Sequence, residues 1–210
     1  MLLKEVCVEN FERLPKIIGE VDRIELCDNL AEGGTSVSIG VAKEALSISK
    51  KHKVPIMAMV RPRKGNFVFS EAELRSMLTD VAAYRELGID GIDGIVFGCL
   101  TADNNLDLAA NQAIISAAQG ALLTFHMAFD ELNEPLAAID WLAEQGVHRI
   151  LTHGGPLNTA LSDNYDRLRQ YQEYAGNRLI ILPGGGITKE NMASVAENLA
   201  VHEVHGTRLV

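Results

Sequence analysis

Arg23-Ile24-Glu25-Leu26-Cys27-Asp28 reads as a short strand with two unlike faces. Side chains alternate across a strand, so Ile24 and Leu26 share one side while Glu25 and Cys27 share the other. The same layout returns in Glu5-Val6-Cys7 near the beginning and in Glu203-Val204-His205 near the end. In a closed barrel the last strand lies beside the first, and the three Glu-x-Cys/His pairs then fall on neighbouring strands.

Around this stretch, short apolar runs alternate with longer segments of helical period. Strands are expected at 2–8, 24–27, 54–60, 92–97, 122–126, 149–152, 179–182 and 201–205. Between them, Phe11, Leu14, Ile17 and Ile18 mark a first helix behind Asn10 as N-cap. Ile39, Ala42 and Leu46 give the second helix its apolar face. Ser70-Glu71-Ala72-Glu73 is a capping box that opens the third. A fourth of weak period covers 107–119, a fifth carries Pro135 in its first turn, and a sixth runs over 164–175. Thr188 is expected to cap the seventh, whose stripe is Met192, Val195 and Leu199. Glycines stand at the expected helix ends, among them Gly88, Gly120 and Gly146.

Eight strands alternating with seven helices predict an α/β fold, a parallel (β/α)8 TIM barrel in one domain over residues 1–210. A doubly wound open sheet is the runner-up, but no Gly-x-Gly-x-x-Gly follows the first strand. The 210 residues are few beside the roughly 250 of a typical TIM barrel, and the pattern lacks a final helix. A barrel wall left bare there would be a large apolar patch, which predicts a homodimer.

With 47% hydrophobic and 22% charged residues the chain has the composition of an ordinary globular domain. Its net charge of −9 argues against nucleic acid or an anionic membrane as partner, since both need clustered Lys and Arg. No apolar run approaches the roughly 18–20 residues of a membrane-spanning helix. Met1-Leu2-Leu3-Lys4-Glu5-Val6 runs directly into a strand rather than a signal peptide, so a cytoplasmic protein is expected. Cys7, Cys27 and Cys99 are too few, and odd in number, for a disulfide framework. Neither a nucleophile elbow nor a Walker motif is present.

Function in such barrels sits at the C-terminal ends of the strands. Cys7, Cys27, Arg61 and Arg63, His126 and Asp130, His153, Gly184-Gly185-Gly186, and His205 to Arg208 all fall there. Glu5, Glu25 and Arg61 are candidates for a buried ion-pair network filling a polar mouth.

Several of these motifs are long and far apart: Glu5-Val6-Cys7, Asp22-Arg23-Ile24-Glu25-Leu26-Cys27, Gly33-Gly34, Arg61-Pro62-Arg63, Thr124-Phe125-His126-x-Ala128-Phe129-Asp130, Arg149-Ile150-Leu151-Thr152, Gly184-Gly185-Gly186 and Glu203-x-His205. Over essentially the whole chain they resemble the copper homeostasis protein CutC family. The resemblance implies a cytoplasmic TIM barrel linked to copper tolerance. Met127 departs from the family pattern, standing where Arg is common.

Two chemistries follow. Soft thiolates suit Cu(I), and Cys7 and Cys27 stand at matching ends of strands roughly 4.8 Å apart, with His205 as a third candidate ligand. The alternative is a lyase, isomerase or hydrolase acting on a small anionic or phosphorylated metabolite. In that case Gly184, Gly185 and Gly186 offer backbone N–H groups, and Arg61, Arg63 and Arg208 offer charge-assisted contacts. Glu25, His126, Asp130 and Glu203 are then the candidate acids and bases.

Overall fold

The computed structural model describes residues 2–210. Eight parallel strands lie in the order β7-β6-β5-β4-β3-β2-β1-β8. They are β1 (Leu3–Glu9), β2 (Arg23–Cys27), β3 (Ile56–Met59), β4 (Gly94–Phe97), β5 (Leu122–Phe125), β6 (Arg149–Thr152), β7 (Ile180–Pro183) and β8 (Glu203–Gly206). The first and last strands pair in register, with Glu5 beside His205, and β7 comes against β8 to bring the wall round into a barrel. Seven helices follow the strands: α1 (Leu14–Ile17), α2 (Ile39–His52), α3 (Glu71–Glu86), α4 (Leu108–Ala117), α5 (Pro135–Glu144), α6 (Tyr165–Ala175) and α7 (Met192–Leu199). No helix follows β8 among the described residues, as the expected (β/α)8 pattern lacking its last helix requires.

Strand alternation sorts the side chains into two sets. Val6, Val8, Ile24, Leu26, Ile56, Ala58, Ile95 and Phe97 point outward and pack with helix residues such as Leu46, Val81, Ile114 and Leu142 in the main core. Cys7, Cys27, Met57, Met59 and Val96 form a separate small cluster inside the barrel. Burying each large aliphatic side chain of the outer set contributes about 1.5–3 kcal/mol, so the strands hold their polar residues inward because their apolar ones are committed outward.

The local signals act as expected at most helix starts. The Ser70 hydroxyl accepts from Glu73 N while the Glu73 carboxylate accepts from Ser70 N, a complete capping box. Asp107 caps α4 through Ala110 N, and Pro135 sits in the first turn of α5. Gly88 takes a positive φ of 88° where the chain leaves α3.

Three expectations fail. The first helix shrinks to a single turn, because Asn10 adopts φ 62° and spends its side chain on Phe11 N instead of capping. Thr188 does not cap α7; its backbone bridges to Arg208, and the helix starts four residues later at Met192. Ile92 is 62% exposed and lies before β4, which begins only at Gly94. A Cβ on Gly94 would meet Leu122 O of β5 at 2.5 Å, so only glycine allows the two strands this approach.

Candidate functional site

The deeper part of the interior is ionic. Glu5 on β1 is fully buried and receives a salt bridge from Arg23 on β2. Arg23 also reaches Glu203 Oε2 at 2.6 Å, and Glu203 accepts from Arg149 Nε at 2.9 Å. Burial opposes ionisation of Glu5, but the Arg23 charge and the His205 hydrogen bond outweigh it and hold the carboxyl down at about 2. The expected partner was Arg61, which takes no part in this network. Arg23 shares strand parity with Glu25 and Cys27, and that parity was the signal for its inward position.

One step toward the C-terminal ends lies the soft cluster. Cys7 Sγ and Cys27 Sγ are 3.5 Å apart, both buried and unbridged. Cys7 Sγ donates to Glu25 Oε1 at 3.1 Å. His205 Nδ1 donates to Glu5 Oε1 at 2.8 Å, which turns Nε2 toward Glu25 Oε1 at 4.0 Å. One donor atom each of Cys7, Glu25 and His205 lies within 4.8 Å of the others. A carboxylate holding one ring nitrogen of a histidine while the other faces a set of ligand atoms is the usual outer support of a metal-binding histidine. The Cys27 contact and burial push the Cys7 thiol well up, burial raises the Glu25 carboxyl, and His205 is raised by Glu25 and Glu5 against its own burial. At neutral pH Cys7 is therefore a thiol, not a thiolate.

Above it a cavity of about 270 Å³ opens at the barrel mouth. Cys7, Glu25 and His205 form its floor; Arg61, His126, Gly185, Gly186 and Arg208 stand around it; Leu30, Met59, Phe67 and Leu157 give it apolar walls. Arg61 follows β3, and its NH1 and NH2 donate to the backbone carbonyls of Glu32, Gly33, Gly34 and Gly65, with the guanidinium 4.7 Å from the Phe67 ring centre. His126 follows β5 and accepts from Ala128 N at its Nδ1. Burial and the Arg61 charge lower it to about 3, so its ring is neutral and Nε2 carries the proton.

The structure thus gathers Cys7, Cys27, Glu25, His205, Arg61, His126, Gly185, Gly186 and Arg208 at one end of the barrel. Four expected members stand elsewhere or play another part. Arg63 turns away, 36% exposed, to pair with Glu73 and stack on Phe69. Asp130 accepts from Thr152 Oγ1, His153 N and Gly154 N, and so holds the loop after β6. Glu203 is committed to Arg23 and Arg149 below the cavity. Gly184 packs against Leu151 and Met127, and its N–H is taken by Thr152 O. Phe67 was missed, since a lone aromatic in the loop after β3 carries no periodic signal.

Fold and site together define an eight-stranded parallel barrel protein with a buried Cys/Glu/His cluster under a C-terminal mouth. The chain belongs to the CutC family, whose family model matches residues 2–210. A CutC family protein of Enterococcus faecalis is 51% identical over the full length of both chains. The human copper homeostasis protein cutC homolog is 35% identical over 97% of this chain and 72% of its own. The crystal structure of the CutC protein from Streptococcus agalactiae superposes with a TM-score of 0.95 at 39% identity, covering all of both chains. At 15% identity the aldolase QR15 shares the fold, with a TM-score of 0.68.

Proposed function

We propose that this protein takes part in copper homeostasis by holding Cu(I) at Cys7 and Cys27, with His205 as a third ligand. The observation that carries this is the 3.5 Å approach of two buried thiols beside a histidine whose far nitrogen is held by Glu5. Soft sulfur ligands favour Cu(I) over the harder divalent ions, and the names of the relatives point to the same metal. Binding displaces the thiol protons, and Glu25 is placed to receive the one that Cys7 now donates. Unbridged cysteines suit a reducing compartment, so we assign the protein to the cytoplasm, as a homodimer that sedimentation velocity would reveal. The test is anaerobic Cu(I) titration against a competing chelator, on the native chain and on Cys7→Ser/Cys27→Ser. Stoichiometric binding lost in the double variant supports the assignment; binding indifferent to both substitutions rejects it.

A second function is favoured by Arg61, a buried cation whose guanidinium hydrogen-bonds only to neutral backbone carbonyls among the described residues. A buried charge with no salt-bridge partner is costly, which suits an enzyme site for a small anionic metabolite at the mouth, with Arg208 and the Gly185-Gly186 backbone beside it. Glu25 and His126 are the acid and base candidates that line this cavity.

A further inference from the structure

Three residues that line the mouth cavity each hold a buried polar atom with no hydrogen-bond partner among the described residues: Arg61 Nε, His126 Nε2 and Glu25 Oε2. Their residues are 5%, 4% and 3% exposed. Leaving a buried polar group unsatisfied costs about 1–3 kcal/mol, and more when it is charged. Three on one cavity form a pattern complementary to a ligand.

The chemistry of the pattern is specific. Arg61 and His126 both pack against the Phe67 ring, the guanidinium carbon 4.7 Å and the imidazole centre 4.9 Å from its centre, which places the two side chains at the same end of the cavity. Arg61 has spent NH1 on three backbone carbonyls and one NH2 hydrogen on a fourth, which leaves Nε–H wholly unpartnered, while the Nδ1 bond from Ala128 N leaves His126 offering its Nε2–H. Two unpartnered donor atoms, one of them on a buried cation, match the two oxygens of a planar carboxylate. A phosphate dianion asks for more buried charge: Arg208, the other cation of the mouth, is exposed, and α7 begins six residues beyond Gly186, too far to lend its N-terminus to the glycine turn. At the floor, Glu25 Oε2 is an acceptor when ionised. Between the two ends run Leu30, Met59 and Leu157.

We propose that the mouth is a binding site for a small hydroxycarboxylate, its carboxylate on Arg61 Nε–H and His126 Nε2–H, its hydroxyl toward Glu25, and its short aliphatic body against Leu30, Met59 and Leu157. This rests on the small-anion function above and narrows it to a carboxylate; it shares Glu25 with the copper assignment but none of the copper ligands.

The test follows the 15N resonances of the histidine rings and the backbone amides of the native chain during titration with 2-hydroxybutyrate, butyrate or inorganic phosphate. The expected result is saturable binding of 2-hydroxybutyrate that moves His126 Nε2, with butyrate at least tenfold weaker because it lacks the hydroxyl. His126→Phe and Arg61→Met should each weaken 2-hydroxybutyrate at least tenfold; Arg61→Lys, which keeps the charge but not Nε–H, guards against a variant that fails to fold. Saturable phosphate binding without carboxylate binding would overturn the carboxylate assignment and leave the small-anion function standing. No binding of any probe at 20-fold excess over about 1 mM, a weak affinity for a small ligand, would overturn both.

Discussion

Replacing Arg23 by Met removes the one cation shared by buried Glu5 and half-buried Glu203. Glu5 keeps His205 and Glu203 keeps Arg149, so each loses one partner of two. Breaking a buried pair by deleting one partner costs about 3–5 kcal/mol. The Glu5 shift, to which both Arg23 and His205 contribute, sets a similar upper size. The Glu5 carboxyl is held at about 2 against its usual 4.5, and each unit is worth about 1.4 kcal/mol, so ionised Glu5 contributes about 3 kcal/mol. The folded pKa is depressed, so this contribution is present in full above pH 4.5 and is lost as pH falls toward 2. Urea unfolding of Arg23→Met at pH 7 should show a loss of about 3 kcal/mol. The variant's stability should also fall less steeply than the native chain's between pH 4.5 and 2. A loss below about 1 kcal/mol, or an unchanged acid slope, would refute the network as a source of stability.

Gly94→Ala places a Cβ 2.5 Å from Leu122 O and 2.6 Å from Met57 Sδ, so thermal unfolding should register a loss of at least 1–3 kcal/mol, about the size of an overpacking defect. Cys7, whose thiol is raised by Cys27, burial and Glu25, should react with iodoacetamide at pH 7 far more slowly than a free cysteine; mass spectrometry of the native and urea-unfolded chain measures the ratio. His205 is raised above 6.5, so its stabilising contribution is full below that value and fades as pH rises through the folded pKa. His205→Gln should therefore cost more stability at pH 6 than at pH 9 in paired urea titrations.

Most of the fold was legible because strand alternation and helix stripes are local signals. The Arg23–Cys27 stretch shows both faces of the wall in five residues, and Cys7, Cys27 and Glu25 came together as its parity required. What stayed hidden depends on side-chain reach. Arg63 and Arg61 sit two residues apart at the same strand end, yet one is captured by Glu73 of the next helix and the other folds inward over Phe67. Asp130 has the residue type and position of a catalytic acid, but the three donors from 152–154 claim its carboxylate. Asn10 failed as a helix cap because a left-handed backbone lets its side chain serve the very next N–H.

The central claim is that Cys7 and Cys27 hold copper together, and X-ray absorption at the copper edge of the Cu(I)-loaded chain tests it most directly. The account predicts a first shell with two sulfur scatterers and one lighter atom, reduced to lighter atoms alone in Cys7→Ser/Cys27→Ser. A native spectrum with no sulfur in the first shell would contradict it.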